Sequence, residues 1–412
     1  MPKLIIQKYG GTSVGSVERI KKIAGRIVKT HKKGTRIVVV VSALGGTTDE
    51  LINLAYQITA APSEREMDML ISTGEQVSVA LLAMAIHKLG REAVSLTGGQ
   101  VGIVTDTSHT KARIVDINTK RIKAELKNKK IVIVAGFQGV SPEREITTLG
   151  RGGSDLTAVA LAKVLKADVC EIYTDVKGVY TADPRIVPEA RKLSVLSYEE
   201  MLELASLGAQ VLQSRSIEVA KRYNIPLHVR SSFLEAEGTR ITKEVKMMEG
   251  VLVSGIALNK NEAKITICDV PDKPGVAARI FKEIASGNVN IDMIVQNTSR
   301  TGSTDISFTV EKTELSRATK VIKKVVSIVG AGGVIQDNDI AKISVVGVGM
   351  RSHAGVAARM FGSLGEAGIN IETISTSEIK ISCLIKKDKA EMAVKILHKE
   401  FDLGKKVKRR QS

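Results

Sequence analysis

Tryptophan is absent from the 412 residues, and aromatic side chains of all kinds make up only 3% of them. A chain so poor in rings lacks the stacking platforms that hold single-stranded nucleic acid. Cysteine is scarce as well. Cys170, Cys268 and Cys383 stand far apart in strand-like apolar runs, which excludes a disulfide framework or paired zinc ligands and leaves buried thiols. The six histidines, His31, His87, His109, His228, His353 and His398, form no cluster, and no metal site is expected. No run approaches eighteen uninterrupted apolar residues, and the N-terminus lacks the basic, apolar, small-residue order of a secretion signal. No membrane association and a cytoplasmic location are therefore expected. Acidic residues are outnumbered by basic ones, 44 to 61, for a net charge of +17. The excess is spread along the chain apart from the tail Lys405, Lys406, Lys408, Arg409 and Arg410, so it reads as a solvated surface, and no nucleic-acid partner is expected.

What is present is a long alternation of apolar runs and amphipathic stretches. Strands are expected at "LIIQK", "RIVVVVS", "EAVSLT", "KIVIVAGF", "DVCEIYTD" and "IPLHVRS", with helices such as "SVERIKKIAGRIVKTHKKG" and "DLTAVALAKVLKA" between them. Continuous β-branched strands separated by helices predict an α/β domain over residues 1–232, a mostly parallel sheet covered on both faces. Ligands of such sheets gather at the carboxyl ends of the strands. A polar stretch over 233–250 reads as a linker. Beyond it, "KITICDVPDKPGVAARIFKEIASGNVNIDMIVQ" and "KISVVGVGMRSHAGVAARMFGSLGEAGINIETIS" repeat one another. Each copy predicts a ferredoxin-like βαββαβ module, over 251–334 and 335–412, with a strand near 251–260 available to pair with the second copy.

The chemistry-bearing residues fall at the predicted strand ends. In "QKYGGTSVG", Gly10 and Gly11 let backbone amides approach an anion, and Lys8 adds a full charge beside them. In "TTLGRGGSD", Gly150, Gly152 and Gly153 surround Arg151, whose guanidinium suits a carboxylate or phosphate, and Ser154 and Asp155 open a strongly apolar helix. "VSALGGTTDEL" contributes Ser42, Thr47 and Thr48, "STGEQVS" contributes Glu75, and "YTDVKGVYTADPR" leaves another strand end. Neither a Walker A loop nor a GxGxxG fingerprint is present. Several anion-binding strand ends together describe a nucleotide and a small acidic substrate.

KYGGTS, VSALGGTTDEL, STGE, TTLGRGGSD and YTDVKGVYTADPR, in this order over essentially the whole chain, resemble the aspartate kinases of the amino acid kinase family, and the repeat resembles their paired ACT domains. The resemblance implies a three-layer αβα kinase domain, ATP with Mg2+, L-aspartate as substrate and 4-phospho-L-aspartate as product. The acceptor carboxylate is already ionised at neutral pH, so positive charge and positioning are needed rather than a general base. The resemblance implies that Lys8 with Gly10 and Gly11 holds the transferring phosphoryl group and that Asp155 orients Lys8. It gives Arg151, Glu75, Thr47, Thr48, Gly152, Gly153 and Ser154 to aspartate. Ser42, Thr174, Asp175, Tyr180, Asp183, Pro184 and Arg185 go to ATP. Where the family commonly has a lysine, "GAQ" places Gln210.

Lysine, threonine or both are the implied effectors. Their expected site is formed by Asp272, Gly275, Val276, Ala277, Gln296, Asn297, Thr298 and Ser299, and in the second copy by Asn370, Ile371, Thr376 and Ser377. The implied assembly is a homodimer through the ACT modules, or an α2β2 complex whose small chain starts internally at Met247 or Met248. Other amino acid kinases lack the GRGGSD, STGE and paired-ACT combination. A non-catalytic sensor on the same fold would have no use for Lys8, Glu75, Arg151 and Asp155 together.

Overall fold

The computed structural model describes residues 3–150, 152–206, 211–243, 252–297, 302–353 and 355–405. It divides into two compact units, one comprising Met1–Val179, Lys192–Ala205 and Gln210–Lys246, the other Tyr180–Arg191, Ser206–Ala209 and Met247–Ser412.

In the first unit, the apolar run LIIQKY forms β1 (Leu4–Tyr9), and Ser16 caps α1 (Val17–His31) by accepting from the Arg19 amide. Ile20, Ile23, Ala24, Ile27 and Val28 recur at helical spacing and are buried, giving α1 one apolar face against the sheet. There follow β2 (Arg36–Val41), α2 (Thr47–Ile58), α3 (Glu64–Ile71), α4 (Thr73–Lys88), β3 (Ala93–Leu96), β4 (Ile103–Thr105), β5 (Ile114–Ile117), α5 (Lys120–Lys127) and β6 (Ile131–Ala135). The unit is completed by β7 (Gln138–Val140), β8 (Ile146–Thr148), α6 (Gly153–Leu165), β9 (Val169–Thr174), β10 (Val195–Ser197), α7 (Tyr198–Ser206), α8 (Ser214–Tyr223), β11 (Leu227–Ser231) and β12 (Thr239–Thr242).

The eight-stranded sheet has the order β10-β12-β11-β9-β1-β2-β6-β3. All six sequence-predicted strands are in it, mutually parallel. β12 pairs antiparallel with β11, and β10 follows β12 in direction. β12 lies inside the stretch read as linker. With Thr239 and Ile241 wholly buried, residues 239–242 belong to this eight-stranded sheet. A second, four-stranded sheet, β5-β4-β7-β8, has strands of only three or four residues, too short for periodicity to reveal. The helical stretch Glu64–Lys88 is long and apolar enough by composition to cross a membrane. Here its Val79, Leu82, Ala83 and Ile86 pack with α1 and the sheet in one core.

The second unit holds β13 (Gly255–Asn259), β14 (Glu262–Pro271), α9 (Val276–Ser286), β15 (Ile294–Gln296), β16 (Ser303–Glu311), α10 (Leu315–Val329) and β17 (Gly333–Asp337). After these come β18 (Ile340–Val346), α11 (Val356–Glu366), β19 (Thr373–Ser377), β20 (Lys380–Lys386) and α12 (Ala390–Glu400). The first module forms the sheet β15-β16-β14-β17 and the second β13-β18-β20-β19. The second copy thus takes its fourth strand, β13, from ahead of the first copy. Between the modules, the Lys342 ammonium is buried and meets Glu262 at 2.7 Å and Asp292. Residues Ala182, Val187 and Ala190, from the loop after β9, share the second module's core.

Candidate active site

The loops leaving β1 and β2, the start of α4 and the start of α6 surround a cavity of about 730 Å³. Lys8, Gly10, Gly11, Ser42, Thr48, Glu75, Gly152, Gly153 and Ser154, all expected from sequence, line it. These loops converge because parallel strands end on one side of the sheet, where helices begin.

Lys8 is the next-to-last residue of β1, and Asp155 sits in the first turn of α6, where the helix dipole favours a carboxylate. Lys8 Nζ lies 2.6 Å from Asp155 Oδ1, and both side chains are nearly buried. An ammonium carries three donor protons, so the ion contact with Asp155 leaves Lys8 able to meet an anion as well.

Glu75 enters by a close approach of backbone to side chain. A Cβ on Gly74 would lie 2.8 Å from the Ala43 Cβ, so only glycine lets the first turn of α4 come this near the loop after β2. At that distance Glu75 Oε1 accepts from the Ala43 amide at 3.0 Å. Its Oε2 is buried and has no hydrogen-bond partner among the described residues. Burial raises the Glu75 carboxyl from 4.5 to about 7, against a smaller opposing effect of the Ala43 amide. The loops after β1 and β2 also touch, since a Cβ on Gly11 would lie 3.0 Å from the Ala43 carbonyl.

Other expected residues stand differently. Thr47 opens α2 but does not line the cavity. Thr174 ends β9 and donates to Asp175 at 2.9 Å. Tyr180, Asp183, Pro184 and Arg185 belong to the second unit, where the Arg185 guanidinium grips Asp183 at 2.7–3.1 Å and holds that carboxyl below its ordinary range. Arg151 and Gln210 lie outside the described residues.

Sequence reasoning missed the apolar wall of the cavity, Ile52, Tyr56, Met67 and Ile71. α2 is apolar in part yet buries no residue, and its Ile52 and Tyr56 line the cavity, a placement that periodicity cannot distinguish from core packing. Sequence reasoning also missed Asp68, wholly buried on α3, which accepts from His109 Nδ1, the Thr110 amide and the Thr148 hydroxyl and so fixes Thr110 at the cavity edge.

In the second unit, Asp272 is exposed in the turn before α9, and Gly275, with φ +89°, begins that helix ahead of Val276 and Ala277. Gln296 ends the edge strand β15, and the Asn297 carbonyl accepts from Thr304. Thr376 and Ser377 end the edge strand β19, with Asn370 and Ile371 shortly before it. Thr298, Ser299, Met247 and Met248 lie outside the described residues.

Comparison with known proteins gives a consistent picture. The amino acid kinase family profile matches residues 3–231, and the ACT domain profile matches 269–325 and 343–401. An aspartate kinase of Pseudomonas putida is 55% identical over 401 residues, 97% of this chain and 98% of that protein. The crystal structure of Escherichia coli aspartokinase III with aspartate and ADP superposes with a TM-score of 0.82 at 25% identity, covering 97% of this chain and 99% of that one. The same enzyme with lysine and aspartate gives 0.74 at 26% identity over the same shares.

Proposed function

From the premise that this chain belongs to the amino acid kinase family, as an aspartate kinase with two ACT domains, we propose how its own residues carry the reaction. The γ-phosphoryl group of ATP passes to the side-chain carboxylate of L-aspartate, giving 4-phospho-L-aspartate and ADP. The observation that carries this assignment is that Lys8, paired with Asp155, and Glu75, whose buried Oε2 has no hydrogen-bond partner among the described residues, line one cavity. Lys8 and the amides of Gly10 and Gly11 stabilise charge on the phosphoryl oxygens, while Asp155 holds the ammonium in place. Glu75 takes the α-ammonium of aspartate, and Arg151 takes its α-carboxylate through a bidentate fork. Thr47, Thr48 and Ser154 add hydrogen bonds, and Gly152 and Gly153 present backbone at the positive end of α6. Ser42, Thr174 and Asp175 are assigned to the nucleotide. For Tyr180, Asp183, Pro184 and Arg185 the nucleotide role rests on the sequence motif alone.

Mg2+ bound with the triphosphate would neutralise phosphate charge there, since a small hard ion keeps mostly water and phosphate oxygens around it. The ACT pair is proposed to bind lysine, threonine or both, and to couple them to the kinase site in a dimer built on its edge strands. An internal start at Met247 or Met248 would supply the same pair as a separate chain. Intact-mass measurement on the complex expressed from the native gene decides between these assemblies. The reaction is tested by ATP-dependent hydroxamate formation with aspartate, glutamate and acetylglutamate, repeated with added lysine and threonine. Aspartate should be strongly preferred and inhibited by at least one effector. Comparable turnover of glutamate would overturn the substrate assignment, and indifference to both amino acids the regulatory one.

A further inference from the structure

A second cavity, of about 720 Å³, opens at the other end of the central sheet. It includes Leu4, at the start of β1, whereas the kinase cavity includes Lys8 near its end. Four strand residues separate the two levels by roughly 13 Å. Apart from His31 and Thr35, its polar side chains are cationic. The end of α1 brings His31 and Lys32, β2 brings Arg36, and the turn after α4 brings Arg91. α5 and its exit add Lys123, Lys127 and Lys129, and among the described residues no aspartate or glutamate lines the space.

Helix carboxyl ends attract a cation each, which accounts for Lys32 and Lys127 but not for the rest. The contrast with the adjacent surface is informative. Arg121 and Lys130 both pair with Glu125, at 2.9 and 3.1 Å. Among the described residues, none of Lys32, Arg91, Lys123, Lys127 and Lys129 has a carboxylate within ion-pair distance. His31 Nδ1 is buried with no hydrogen-bond partner among the described residues, and burial and the charge of Arg91 both disfavour its protonation. So many like charges around one concavity repel each other and focus a positive potential into it. Buried Leu4, Leu126 and Leu165 supply an apolar floor.

We propose that this cavity is a binding site for an oligophosphate anion, separate from the kinase site. One phosphate would meet a fraction of these cations, whereas a chain of phosphates spans them, and the volume falls in the range of small-molecule sites. The phosphates could belong to an inorganic chain or to a nucleoside triphosphate whose base lies on the leucine floor.

The test is calorimetric titration of the full chain with inorganic triphosphate and with GTP, at about 0.15 M salt so that diffuse attraction is screened. Arg91→Glu/Lys123→Glu should weaken both by about tenfold or more, because charge-assisted phosphate contacts are removed and reversed. Lys323→Glu/Lys324→Glu, an equal charge change on exposed positions of α10, should leave binding within about twofold if the field is local. Arg91→Gln/Lys123→Gln serves if the reversal disturbs folding. Lys8→Ala should leave triphosphate affinity unchanged, which separates this site from the kinase cavity. Tighter GTP than triphosphate supports a base on the leucines, and equal affinity supports phosphate recognition alone. Absence of saturable triphosphate binding below about 1 mM, well short of a multi-cation site's expected strength, overturns the proposal. Equal losses in the α10 control, or loss of triphosphate binding in Lys8→Ala, overturn it as well.

Discussion

Replacing Glu75 by glutamine separates what this side chain does for folding from what it does for substrate. Its carboxyl is raised from 4.5 to about 7 by burial. The folded pKa lies above the unfolded one, so the neutral form's contribution to stability is complete below about 4.5 and is lost as pH rises through about 7. The ionised form at pH 8 then carries a folding cost of up to ~3 kcal/mol. Glutamine can keep the 3.0 Å bond from the Ala43 amide through its carbonyl oxygen and never ionises. The variant should therefore match wild type near pH 4.5 and unfold at a higher temperature near pH 8, by several degrees at ~2–4 °C per kcal/mol.

Catalysis should move the opposite way. In wild type, kcat/KM for aspartate should fall about tenfold per pH unit below about 7, as the carboxylate that receives the ammonium becomes protonated. The glutamine variant should lose that slope and sit ~2–4 kcal/mol, or roughly 30- to 1000-fold, below the wild-type plateau. Thermal unfolding with and without saturating aspartate, beside kinetics from about pH 5.5 to 8, measures both effects. A flat wild-type profile, or a variant with unaltered aspartate KM, refutes the role. A variant less stable than wild type at pH 8 refutes the burial argument itself.

Lys8→Ala should lower kcat by about 100-fold or more, ~3 kcal/mol, because the ammonium acts on charge in transit, and should also lower the unfolding temperature, because Asp155 loses its ion partner while nearly buried; retention of a tenth of kcat by the folded variant refutes this. Gly74→Val should destabilise the first unit by ~1–3 kcal/mol and raise the aspartate KM, because its Cβ would collide with Ala43 and push Glu75 off the Ala43 amide. Lys342→Met should cost ~3–5 kcal/mol in the second unit by stranding the buried Glu262. Adding Glu262→Gln should recover most of that loss, and failure to recover would place the effect in packing. If Asp272→Ala and Gln296→Ala together leave inhibition by lysine and threonine unchanged, the effector assignment to β15 and the turn before α9 fails.

The parallel core was legible because its central strands β2 and β6 are nearly continuous apolar runs, as burial on both faces demands, and the flanking strands alternate with amphipathic helices. What sequence reading missed has physical reasons. β12 reads TRIT, alternating and polar, because an edge-ward strand buries only one side, here Thr239 and Ile241. Its flanking glutamates and glycine therefore resemble a linker. β13 was legible as a strand, and its pairing with β18 became settled only by three-dimensional register. Within the site, glycine-bracketed Lys8, Ser154 and Asp155 announced themselves through turn and cap chemistry. Tyr56 and Met67 could not, since apolar helix positions lining a cavity look the same as positions lining a core.

The state of each buried carboxylate separates architecture from function more sharply than burial does. Asp155 meets Lys8, Glu171 meets Arg230 at 3.0 Å, and Glu125 meets Arg121 and Lys130. Glu262 keeps one oxygen unpartnered, yet its charge is answered by Lys342. Among the described residues, Asp68 has no arginine or lysine partner, but both its oxygens are occupied by donors from His109, Thr110 and Thr148. Glu200 is bonded by the Ser197 amide and hydroxyl. Among the described residues, Glu75 has one amide on one oxygen, nothing on the other and no cation within ion-pair distance. A buried charge left unpaired costs free energy, which selection for stability alone would remove by substitution. That cost is offset if the missing cation arrives with the substrate, and the α-ammonium of aspartate has the charge and the donors that Oε2 lacks.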